Sequence, residues 1–167
     1  MADPNAYSRL QIGLHWTIAL LVVLQLSINA GVRDAFGDRL EGLGPGLAAL
    51  AAGTIFHLVS GMTILALTLL RLVVRLRRGA PEAEEGVPPV IALMAVFAHA
   101  ALYGFLLFMP VTGLIAWFFA SEFFGTLHEI GRFLLVPLIA AHALAALVEH
   151  FVLRNDTLRR MLRYTAR

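Results

Sequence analysis

The sequence contains no cysteine and no lysine. Without a thiol there is no disulfide framework, thiolate zinc site, iron–sulfur cluster or cysteine nucleophile, so any bound metal must be held by histidine or carboxylate. All 13 basic residues are arginine. Charge is scarce as well: Asp, Glu and Arg make up 14% of the chain, against about 25% in a soluble domain. The formal net charge of +2 is small, and the arginines stand beside apolar runs, so no nucleic-acid partner is expected. What fills the space is hydrophobic: 59% of 167 residues, where soluble domains use about 45–50%. That excludes a disordered chain and points away from a soluble one. The length is that of a single domain, residues 1–167, with no internal repeat.

Crossing a bilayer takes about 20 mostly apolar residues. Residues 10–32, 42–70, 86–121 and 133–148 each lack Asp, Glu and Arg. The pattern predicts an all-α, integral membrane four-helix bundle with transmembrane helices at about 10–31, 47–74, 90–117 and 126–152. The first span reads as retained rather than as a cleaved signal, since only Arg9 precedes it and no small-residue cleavage site follows Ile28. Residues 33–46 (RDAFGDRLEGLGPG) and 79–89 (GAPEAEEGVPP) read as loops, and 118–125 as a tight turn. The paired prolines at 88 and 89 suit the start of the third helix.

Arginine placement gives the direction. Arg9, Arg71, Arg75, Arg77, Arg78, Arg154, Arg159, Arg160, Arg163 and Arg167 fall at one end of the bundle. Arg33, Arg39 and Arg132 fall at the other, diluted by Asp34, Asp38, Glu41, Glu122 and Glu129. The positive-inside rule then puts both termini in the cytoplasm.

All six histidines, His15, His57, His99, His128, His142 and His150, fall within or at the edge of a predicted span. An ionisable residue in a span is a functional hypothesis by default, although a single one can simply bond a neighbouring helix. His128 and His142 are 14 residues apart, which places them about 40° from a common face and about 21 Å apart along the axis. That suits two stacked haems better than one ion, and no HxxxH or HExxH spacing offers a zinc site. His15 lies about 9 Å above Arg9, and His57 about 27–31 Å from the Arg75–Arg78 cluster. Depth therefore pairs His15 with His142 at the inner level and His57 with His128 at the outer level.

The other polar residues each carry two readings. His99, with Tyr103 one turn on, suits a haem propionate, a quinone pocket or plain helix packing. Glu149 and His150, at the inner end of the last span, suit proton delivery to a quinone or snorkelling to water. Arg71 and Arg75 are topology determinants that also suit propionates. Arg132, one turn after His128, suits an outer propionate or an anionic donor, and alternatively an ion pair with Glu129 or Glu122. The small residues Gly13, Ser60, Gly61, Ala141 and Ala145 permit flat cofactors but equally serve helix packing.

The blocks YSRLQIGLHW (7–16), HLVSGMTIL (57–65), RLVVRL (71–76), HAALYGFLLFMPVTGLI (99–115), HE (128–129), AHALAALVEHF (141–151) and DTLRRM (156–161) run in order through nearly the whole chain. Together they resemble the bacterial cytochrome b561 family. The resemblance implies a four-helix inner-membrane protein with two b haems, bis-histidine ligated by His15, His57, His128 and His142. It further implies electron transfer between a periplasmic donor, superoxide or a redox protein, and ubiquinone near the inner haem, where His150 matches a histidine of the family. The 118–125 connection is shorter than the family's. Two other functions fit the sequence: a haem b anchor subunit for a hydrogenase or dehydrogenase, and a haem-free transporter using the histidines as a relay. A homodimer is compatible with the sequence, but nothing in it calls for one.

Overall fold

The computed structural model describes residues 7–43, 51–79, 81 and 87–162. Six helices follow in order: α1 (Arg9–Ser27), α2 (Val32–Leu40), α3 (Ala52–Arg78), α4 (Pro89–Phe119), α5 (Glu122–Phe151) and α6 (Thr157–Leu162). Among the described residues, α1, α3, α4 and α5 are long and apolar enough to cross a membrane. These are the four expected spans. The first ends at Ser27 rather than 31, and residues 47–50 of the expected second span lie outside the described residues, as do Arg163 and Arg167.

Local chemistry sets the ends. Ser8 caps α1 through a capping box: its hydroxyl accepts from Gln11 N at 3.2 Å, and Gln11 Oε1 accepts from Ser8 N at 2.9 Å. Pro89 opens α4, where a missing N–H costs nothing. Ala120, with φ 47°, turns α4 into α5, and only Ala120 and Ser121 lie between the two helices. The tight turn at 118–125 is thus tighter than the sequence indicates.

The segment 33–46 departs from the expected loop: residues 32–40 form α2. Asp34 in its first turn and Arg39 in its last complement the helix dipole. Contacts with the bundle hold it in place. Arg33 pairs with Glu129 of α5 at 2.6 Å. Arg39 Nε donates to Trp117 O of α4 at 2.8 Å, and its guanidinium lies 5.1 Å from the centre of the Trp117 ring. Phe36 packs on Gly125, where a Cβ would stand 2.6 Å from Phe36 Cε1.

Packing runs α1 on α3, α3 on α4 and α4 on α5, while α5 makes no comparably broad backbone contact with α1 or α3. The spans are therefore joined in the order α1, α3, α4, α5, leaving a cleft between α5 and the α1–α3 pair. A stripe of α1 (Gln11, Leu14, Ile18, Val22) is buried at helical spacing. Ile18 and Val22 form the core with Ile64 of α3, flanked by Leu106 and Ile139. Large apolar side chains such as Leu93, Met94, Val96 and Phe97 face outward from α4, as lipid contact requires.

Candidate functional site

Five half-buried histidines meet between helices at two levels, with the Ile18–Val22–Ile64 core between the levels. At the level near the α2 end, the rings of His57 (α3) and His128 (α5) are 6.0 Å apart between centres and inclined by 70°. At the arginine-rich end, His15 (α1) and His142 (α5) are 6.3 Å apart and inclined by 68°. A metal held between two imidazoles at about 2.0–2.1 Å per bond separates the ring centres by roughly 6 Å. Both pairs fit that spacing. Among the described residues no three His, Asp or Glu side chains converge on one point. Pairs of this kind suit an ion whose remaining ligands come from its own macrocycle.

The His57–His128 pair lines a cavity of about 390 Å³, within the roughly 300–1,000 Å³ typical of cofactor and ligand sites. Its walls are mostly apolar and include Gly61 and Gly113, with Val32, Arg33 and Phe36 of α2 also lining it. A Cβ on Gly113 would come 3.0 Å from His128 Nδ1 and Cε1, so only glycine leaves that ring its place. His128 Nδ1 is 2.8 Å from Met109 O and 3.4 Å from Thr112 Oγ1. Donation to the carbonyl fixes the proton on Nδ1 and leaves Nε2 as a free lone pair, the tautomer a metal needs. His57 Nδ1 is buried with no protein partner.

At the arginine-rich end His99 joins the pair, its ring 5.1 Å from that of His142 and its Nδ1 2.6 Å from Ala95 O. Arg71 Nη1 donates to Gln11 O at 2.6 Å, tying α3 to α1 just below His15. Glu149 turns toward α6, accepting from Asn155 Nδ2 at 3.4 Å. His150 stacks edge-on against Phe151, and its buried Nδ1 has no partner. Glu149 and His150 thus do not meet as a hydrogen-bonded pair. Arg132 lines the His57–His128 cavity, 3.8 Å from Glu129 and 4.9 Å from the Phe133 ring centre, while the tighter partner of Glu129 is Arg33.

Sequence reasoning missed Gln25, Thr112, Met109 and α2. Gln25 carried a signal: Gln11 and Gln25 are 14 residues apart on α1, the interval of His128 and His142 on α5. Each donates to a backbone carbonyl of α3 or its C-cap, Gln11 to Gly79 at 3.0 Å and Gln25 to His57 at 3.2 Å. The Met109 carbonyl and α2 carried none, because both matter only through tertiary contact.

The chain is similar to cytochrome b562 of Cereibacter sphaeroides, with 31% identity covering 98% of this chain and 99% of that protein. It is also similar to a protein of Yersinia pestis named probable superoxide oxidase CybB, with 27% identity covering 93% and 95%. Residues 6–164 match the prokaryotic cytochrome b561 family. Four spans, histidine pairs at two levels and a match of this extent agree: the chain belongs to the prokaryotic cytochrome b561 family of membrane electron-transfer proteins, whose cofactor is haem b.

Proposed function

We propose that this protein carries electrons across a bacterial inner membrane on two b haems, from a donor at the periplasmic face to ubiquinone at the cytoplasmic face. The observation that carries this reading is the pair of facing imidazoles, at 6.0 and 6.3 Å, repeated at two levels of one bundle. His57 and His128 would hold the outer haem, and His15 and His142 the inner one. Haem, when bound, supplies a reversible one-electron iron couple at each level.

The residues around the pairs do the rest. With two imidazoles holding each haem, donor and quinone would exchange electrons with it without themselves binding iron. The Met109 carbonyl holds the His128 ring in its ligating tautomer and raises its basicity. Arg132 at the outer cavity, and Arg71, Arg75 and His99 at the inner level, offer positive charge or hydrogen bonds to haem carboxylates. Glu149 and His150 at the arginine-rich end bring protons to the quinone. The outer donor proposed is superoxide, the substrate implied by the name of the Yersinia relative. Two superoxide ions leave as dioxygen, and their two electrons with two protons convert ubiquinone to ubiquinol.

Pyridine haemochrome analysis of the purified protein tests the core of this reading, with about two haems b per chain expected. A colourless protein would instead support the histidine-relay transporter. A stoichiometric partner retained on gentle extraction would support the anchor subunit.

Direction is tested separately. Ten arginines at one end and three at the other support a topology with both termini in the cytoplasm. A green fluorescent protein fused after Arg167 is expected to fluoresce, and alkaline phosphatase there to be inactive. Phosphatase fused after Leu43 is expected to be active. The opposite pattern inverts the topology and with it the assignment of donor and quinone faces.

A further inference from the structure

The two rings of the outer pair are held differently. His128 is fixed through its own ring, by Met109 O at 2.8 Å. His57 has no such bond: its Nδ1 is buried and unpartnered. An imidazole without an orienting hydrogen bond depends for its position on the backbone that carries it.

That backbone is gripped from α1. Gln25 Nε2 donates to the carbonyl of His57 itself at 3.2 Å. Gln25 Oε1 in turn accepts from Ser60 Oγ, whose oxygen is also 2.6 Å from Phe56 O. The amide thus spans one turn of α3, from the His57 carbonyl to the Ser60 hydroxyl. Gly61 makes room for it: a Cβ there would stand 3.3 Å from Gln25 Nε2. Gln25 also lines the cavity between His57 and His128. In a membrane, side-chain to backbone bonds between helices matter because no water can replace them.

We propose that Gln25, with Ser60, is a positioning residue for His57: it fixes the turn that aims this imidazole at the outer site. The proposal rests on His57 being an outer haem ligand. The outer haem's signature therefore depends on Gln25, whereas that of the inner haem does not. Gln11, which makes the corresponding bond to Gly79 O, provides the control.

The test is low-temperature electron paramagnetic resonance and haem-transfer kinetics on the full-length protein, comparing wild type, Gln25→Met, Ser60→Ala and Gln11→Met. The signal lost in His57→Ala identifies the outer haem. Gln25→Met is expected to shift the g-values of that signal alone and to release the outer haem to an apoprotein acceptor about fivefold faster, the effect of one lost hydrogen bond. Gln11→Met should leave the outer signal in place. Should Gln25→Met not fold, Ser60→Ala is read by the same signal. An unshifted outer signal in both variants, or an equal shift of both haems, overturns the proposal. A wild type without haem overturns the functional reading instead, so the two failures are distinguishable.

Discussion

Replacing His57 or His128 with alanine is expected to lower haem content from about two to about one per chain, and replacing His15 or His142 to do the same at the other level. The pairs belong to separate levels, with Ile18, Val22 and Ile64 packed between them, so loss at one level leaves the other closed. The consequences differ by face. Outer variants should lose reduction by superoxide while the remaining haem still equilibrates with ubiquinol. Inner variants should still be reduced from outside but fail to pass electrons to quinone. Haem quantification with stopped-flow reduction from each side separates these patterns. Loss of both haems from either single variant, or of neither, breaks the ligand assignment. A double variant within one pair should cost no more haem than either single one, because one missing ligand already empties that site.

The spans were legible because each is long and apolar, as a membrane demands, and arginines close the second and follow the fourth. The facing of the rings followed from depth: His15 lies just above Arg9, His57 far from Arg75, and His128 and His142 sit 14 residues apart on one helix. The α2 helix was not legible. Its sequence VRDAFGDRL has the glycine and charge of a loop, and its order comes from Arg33 on Glu129, Arg39 on Trp117 and Phe36 on Gly125. These contacts lie some 80 to 100 residues away in the chain, and no local pattern announces them. Gln25 shows a middle case: a polar residue in a span invites attention, but the carbonyl it bonds cannot be read from sequence. Arg71 shows the reverse. Reserved by sequence for propionates or topology, its guanidinium already holds the Gln11 carbonyl at 2.6 Å, so its removal should also loosen α1 from α3.

Gly113 separates the outer site from the rest of the bundle most sharply. A Cβ added there stands 3.0 Å from His128 Nδ1 and Cε1, closer than ordinary van der Waals contact. The ring cannot simply swing away, because its Nδ1 is bonded to Met109 O on the same helix at 2.8 Å. Gly113→Ala therefore forces a choice between a strained rotamer and a broken hydrogen bond, each about 1 kcal/mol. Either one alone amounts to a factor of about 5 in affinity for the outer haem. Gly113→Val also puts its branches into the cavity beside His128 and is expected to abolish outer haem binding. The inner haem should stay at wild-type occupancy, since His15 and His142 lie on the far side of the core layer. Gly104→Ala, on the same helix with open space around its Cβ, should leave both haems bound. Haem titration of the three variants, read by the bands that His57→Ala and His142→Ala assign, checks the set. Full outer occupancy in Gly113→Val would mean that the cavity beside His128 is not where the outer haem sits.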